Sequence, residues 1–102
     1  MSKNDLYSFL TEQMRIADYN KSVCDVPSKY FIFEGEKVAY EILLSKLQRA
    51  TSLEDFVKFA IELSKISSNL LICRGIAESS DFVIQWLKYK IPEERYHKFG
   101  LN

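Results

Sequence analysis

His97 is the only histidine in the chain. General-base chemistry usually sets an imidazole between a nucleophile and an orienting carboxylate. Here its neighbours are Tyr96 and Lys98, and an exposed surface histidine is the simpler reading. Cys24 and Cys73 are the only cysteines. Structural zinc needs four ligands, usually at local spacings, and Cys24, Cys73 and His97 offer three isolated ones. Cys73-Arg74-Gly75 brings a phosphate loop to mind, but the Gly-rich cradle and lysine of such loops are missing. Glu34, Glu36 and Glu41 supply carboxylates for general acid–base work. They share their segment with Lys37 and Lys46, and solvated charges are the default. No EF-hand or HExxH box is present. The expectation is a non-enzymatic chain with no catalytic residue, no metal and no cofactor.

A different chemistry, recognition, is better represented. In QWLKYKIPEERYHKFGLN, Trp86, Tyr89, Tyr96 and Phe99 alternate with Lys88, Lys90, Arg95 and Lys98. Aromatics and arginine are the residue types that anchor protein interfaces. Trp86, Tyr89, Tyr96 and Phe99 are therefore candidate anchors, with Arg95 as the polar contact. Tyr96 and Phe99 follow Pro92 and are expected to be free; Trp86 is expected to face inward with Phe82, Val83 and Leu87. The same interleaving suits stacking on single-stranded nucleic acid. It also suits a terminal helix that docks its rings on the core.

A second cluster of bulk lies in SKYFIFEGEKVAYEILLSKL, residues 28–47. As a strand, Tyr30–Phe33 needs a partner, and NLLICRG (residues 69–75) is the one candidate; a two-stranded sheet alone is marginal. The helix reading is preferred. Asp25 or Ser28, around Pro27, gives it a start signal, and Phe33, Lys37, Tyr40, Leu44 and Leu47 keep helical register. Gly35 inside it costs about 1 kcal/mol against alanine, tolerable where another helix crosses closely. At about 100° per residue, Tyr30, Phe31, Ile32 and Phe33 point in four directions. Either the domain surrounds this turn, or Tyr30 and Phe31 meet a second molecule, for which a twofold homodimer is the commonest closed solution.

The elements that must position these residues read as helices throughout. Gly (three) and Pro (two) are too few for a turn-rich β protein. Leu6, Phe9, Leu10, Met14 and Ala17 form a stripe over residues 3–19, capped by Ser2 with Asp5. The stretch 20–27 reads as loop. Ser52 and Asp55 start a helix whose three-and-four spacing (Phe56, Phe59, Leu63, Ile66, Leu70, Cys73, Ala77) predicts one element over residues 53–78, about 39 Å long; the alternative is a break at Ser67-Ser68-Asn69. In this register Cys73 is buried, and Cys24 is the thiol that labels first. Ser79 and Ser80 offer an N-cap for the next helix, Pro92 stops it, and Gly100 ends a last short one. The expected fold is all-α: one domain over residues 1–102, a compact bundle of four main helices plus a short C-terminal helix.

Formal charge is zero, from 14 basic and 14 acidic residues, and no stretch concentrates the positive charge that phosphate neutralisation requires. There is no signal-type segment and no apolar run near the roughly 18 residues of a membrane span. Two unpaired cysteines then suggest a cytoplasmic setting. GEKVAYEILLSKL, residues 35–47, resembles small helical proteins common in phage and mobile elements; it carries no specific motif and no residue role. With catalytic constellations missing and bulky apolar residues in surplus, the expected function is binding of another protein, as an inhibitor, immunity factor or adaptor. The competing expectation is a small nucleic-acid-associated regulator working through the C-terminal stretch.

Overall fold

Ser2 caps the first helix as its spacing to Asp5 predicts. Its hydroxyl accepts from the Asp5 N–H at 3.1 Å, and the Asp5 carboxylate accepts from the Ser2 N–H at 3.1 Å. In the computed structural model, which describes residues 2–102, this helix is α1 (Lys3–Val23). It runs past the expected end at residue 19, because polar side chains can close a helix from within: the Ser22 hydroxyl donates to the Tyr19 carbonyl at 2.7 Å. Only Cys24–Val26 remain outside helix before Pro27 opens α2 (Pro27–Arg49) at its first position. Tyr30–Phe33 is therefore helical. Ser52 accepts from the Asp55 N–H at 3.1 Å and starts α3 (Leu53–Ser64). Then come α4 (Leu71–Lys90), a 3₁₀ turn over Glu93–Arg95, and the short α5 (Tyr96–Phe99). No strand occurs among the described residues, and the all-α expectation holds.

Two boundaries differ from the periodicity. The helix expected over residues 53–78 breaks after Ser64. Turn chemistry outweighs the stripe there: the Ser68 hydroxyl accepts from the Leu70 N–H at 3.2 Å, giving the backbone a local alternative to helix. Conversely, Ser79 and Ser80 cap nothing. Both are buried in the interior of α4, and the Ser80 hydroxyl donates to the Ile76 carbonyl at 2.8 Å, so it costs the helix no unsatisfied group. The new register leaves Cys73 half-buried, like Cys24, which corrects its expected place in the core. Phe82, expected inside, is exposed. Mild thiol labelling of the folded protein should modify both cysteines at comparable rates; exclusive labelling of Cys24 would restore the core position of Cys73.

Ion pairs and close approaches fix the topology. Lys21 pairs with Glu34, and Asp18 with Lys37 at 3.2 Å, so α1 runs antiparallel to α2. Ile32 and Gly35 of α2 meet Gly75 and Ile72 of α4, while Glu36 sits near Glu78 and Tyr40 near Ser79. From Phe31 beside Ile72 through Gly35–Gly75 and Glu36–Glu78 to Tyr40–Ser79 the partners advance together, so α2 and α4 run parallel. Short loops turn α3 back between them, and the order is up-down-up-down. In a square bundle the second and fourth helices lie on a diagonal. Here they make the most extensive contact, with α1 packed on α2 and α3 on α4. The cause is in the side chains: Gly35 on α2 meets Gly75 on α4, and the residues four further along each helix, Ala39 and Ser79, are also small and buried. A Cβ on Gly35 would lie 2.9 Å from the Ile72 carbonyl carbon and 3.1 Å from the Gly75 Cα. The expectation that a helix crosses at Gly35 is met.

Beyond the crossing the stripes turn apolar. Leu43 and Leu47 of α2, Leu6 and Leu10 of α1, Phe56 and Val57 of α3, and Val83 and Leu87 of α4 form the core. Ile91 ends α4 in this core, and after Pro92 the chain folds back and seals it with Phe99 and Leu101.

Candidate protein-binding surfaces

The C-terminal candidates do not form one exposed cluster. Phe99 is only 3% exposed. Gly100 explains this: its φ of 74° is a left-handed conformation natural to glycine, and it reverses the chain so that Phe99 and Leu101 both enter the core. The expectation that Phe99 lies free beyond Pro92 is corrected. Tyr96 is half-buried and its hydroxyl donates to the Lys88 carbonyl, so it straps the segment back onto α4. Arg95 lies over the Phe99 ring, 5.6 Å from its centroid. Trp86 is half-buried and stacks on Phe9 of α1 with centroids 4.2 Å apart. Lys90 covers its outer side at 5.7 Å and also approaches Tyr89 at 5.6 Å. Tyr89, 85% exposed, is the one aromatic of this group with most of its surface in solvent. His97 is exposed.

Tyr30 and Phe31 are brought together elsewhere. Their rings meet edge to face at 5.6 Å, at the end of the bundle where α1 finishes and α2 and α4 begin. Two shallow hollows adjoin there. One is lined by Cys24, Asp25, Val26, Pro27, Tyr30 and Phe31, the other by Phe31, Asn69, Leu70, Leu71 and Ile72. Phe31 is common to both, so the apolar surface is continuous. Phe31 is 45% exposed and Leu70 66%. Tyr89 lies some 17 residues further along α4 than Ile72, or about 26 Å, so the two groups of candidates belong to different surfaces.

The helix ends add electrostatics to this tip. Val26 and Leu70 occupy the N-cap positions of α2 and α4 and supply no side-chain cap, and neither first turn contains an acidic residue. The free N–H groups of two parallel helices therefore open at the same end. Lys21, paired with Glu34, lies 5.5 Å from the centre of the Tyr30 ring. Val26, Leu70 and Ile72 were not among the sequence candidates. Leu70 looked like a core position of a continuous helix, and only the break after Ser64 carries it to the surface.

Among the described residues, no three His, Cys, Asp or Glu side chains converge as metal ligands, and no helix is long and apolar enough to cross a membrane. Comparison with family models, with curated proteins and with solved structures finds no significant match.

Proposed function

We propose that this is a small non-enzymatic protein that acts by binding another protein through the apolar tip, in the manner of an inhibitor, immunity factor or adaptor. The observation that carries this reading is the continuous exposed surface of Val26, Tyr30, Phe31, Leu70 and Ile72 around two adjoining hollows at one end of the bundle. Contiguous apolar surface rimmed by polar residues marks interaction sites, whereas scattered apolar residues do not. Phe31 sits at its centre, where interface hot spots concentrate. A cytoplasmic partner and an origin among phage-like small proteins fit this reading.

The test is the double substitution Phe31→Ser with Leu70→Ser. Both side chains are exposed, so helicity and melting should stay close to those of the parent. Binding to a partner recovered from the native host should weaken by about 2 kcal/mol or more, some thirtyfold. Unchanged binding places the site elsewhere, with Tyr89 and Trp86 next. A twofold homodimer through Tyr30 and Phe31 is one form of the same reading. Light scattering at micromolar concentration decides it, since a monomer of 11.9 kDa leaves the tip to a different protein. One observation favours the nucleic-acid reading, the exposed Tyr89 between Lys88 and Lys90. Salt-sensitive retention of single-stranded oligonucleotides would support it.

A further inference from the structure

We propose that this chain has a second folded state, a domain-swapped dimer. In it α3 and α4 join into one continuous helix over residues 53–90, and α4 with the segment after it packs onto a second copy of the chain. The inference is independent of the reading given to the apolar tip.

A row of side chains carries it. The three-and-four spacing that opens at Phe56 does not stop at Ala77. It runs on without a slip through Ser80, Ile84 and Leu87 to Ile91. That is the seam pattern of a coiled coil, held over about five heptads. In the bundle the row is folded back on itself, since α3 packs on α4. Phe56, Ser80, Ile84, Leu87 and Ile91 are buried there. The two exposed members of the row are Ile66 and Leu70, and both lie in the connection between the helices. A loop leaves the second helix of a hairpin free to set its own phase. Here the phase is kept through six residues that the hairpin does not use as helix.

The connection carries no lock. Residues 65–70 contain neither Gly nor Pro, all are exposed, and no non-glycine among the described residues has a positive φ. Nothing in this backbone forbids a right-handed helix. The bonds that hold the turn are local. The Lys65 N–H donates to the Glu62 carbonyl at 3.2 Å, the Ile66 N–H to the Leu63 carbonyl at 3.3 Å, and the Leu70 N–H to the Ser68 hydroxyl at 3.2 Å. The first two are the tight three-residue bonds of a helix end, and a continuous helix replaces all three with its own.

Straightening keeps the contacts of the fold. The α4 of one copy takes the place of α4 in the other, so the Gly35–Gly75 crossing and the core form again between chains, and the exchange closes by twofold symmetry. The two states then differ by the hinge and by the entropy of association. The hinge favours the dimer: helix forms through residues 65–70, and Ile66 and Leu70 of the two long helices meet near the twofold axis instead of water. Dilution favours the monomer. In the dimer Leu70 leaves the apolar tip, so the two states present different surfaces to a partner.

The test is to refold the full chain from urea at two concentrations. Chromatography with light scattering should show a species of twice the 11.9 kDa chain mass after refolding at about 1 mM, and monomer after refolding at about 10 µM. By circular dichroism the dimer should carry more helix per chain. On dilution it should revert no faster than the chain unfolds, because α4 must be withdrawn from the other copy. The combined change Ser67→Ala, Ser68→Ala and Asn69→Ala favours helix in both hinges and should raise the dimerisation constant about a hundredfold. Inserting Gly-Gly after Ser67 lengthens an exposed connection, so it should abolish the dimer and leave a folded monomer. Phe31→Ser should change nothing, which separates this dimer from association through the tip. Four results each overturn the proposal: monomer alone from the parent chain at about 1 mM, a dimer that reverts faster than unfolding, a dimer indifferent to both hinge variants, or a dimer lost in Phe31→Ser.

Discussion

Gly35→Ala is expected to lower the melting temperature by about 10 °C, and Gly35→Leu to prevent folding. An added Cβ falls well inside contact distance of the Ile72 carbonyl oxygen and 2.9 Å from its carbon. These are backbone atoms of α4 and cannot rotate aside like a side chain. The helices must part, and every contact along the Gly35–Ala39 and Gly75–Ser79 seam loosens with them. Overpacking of this kind costs about 1–3 kcal/mol, and at this chain length each kcal/mol moves the midpoint by about 4–8 °C. The sign is informative because local propensity pulls the other way: alanine improves a helix by about 1 kcal/mol over glycine. Gly75→Ala should behave alike, since its Cβ would lie 3.0 Å from the Glu36 nitrogen and 3.1 Å from the Gly35 Cα. Ser8→Ala, on the exposed face of α1, serves as the control and should be neutral or slightly stabilising. A thermal melt of Gly35→Ala at or above the parent would mean that α2 and α4 do not touch here.

Helix type was legible in the sequence wherever local signals agreed. Ser2 with Asp5 and Ser52 with Asp55 each cap a helix in the structure, because caps act within one turn and need no knowledge of the rest of the chain. The second helix, α2, starts at Pro27 as its position suggests, but its N-cap is Val26 and neither Asp25 nor Ser28. Gly35 was legible as a close crossing, though not its partner. The failures share one cause. The stripe from Phe56 to Ala77 kept a three-and-four rhythm across Ser67-Ser68-Asn69, and periodicity alone cannot distinguish one long helix from two that happen to be in phase. With that break missed, Leu70 and Cys73 were assigned to a core they do not enter, and Ser79-Ser80 became a start signal. In the structure that serine pair is small-residue packing against α2. Serine serves as a cap or as a spacer according to what lies opposite, and that is a tertiary fact.

The candidate surfaces show the same division. Four neighbouring directions of bulk at Tyr30–Phe33 required either full enclosure or exposure. The structure resolves this by half: Ile32 and Phe33 turn inward while Tyr30 and Phe31 remain in solvent. The composition of the C-terminal stretch is legible as sticky, but not whether its rings meet the chain's own core, a protein or a nucleic acid. Stickiness toward a partner and toward the chain's own core are the same physical property, and the backbone reversal at Gly100 decides between them.

That decision makes the second large effect. Phe99→Ala is expected to destabilise the domain by about 3–4 kcal/mol, as for other buried phenylalanines, a sizeable part of the 5–15 kcal/mol typical of a small domain. The ring is 3% exposed and packs into the core with Leu101, and it is the one fully buried side chain of the short α5. Tyr96→Phe should cost less, about 1 kcal/mol, by removing the hydroxyl that donates to the Lys88 carbonyl. Tyr89→Ala should leave stability within about 0.5 kcal/mol, because its ring touches little besides Lys90. Urea denaturation of the three variants ranks them directly. An interface anchor gives the reverse order of effects: Phe99→Ala would then melt like the parent while losing its partner. Should that be observed, the segment from Glu93 onward does not fold back as described, and the binding surface moves from the Tyr30–Phe31 tip to this end of the bundle.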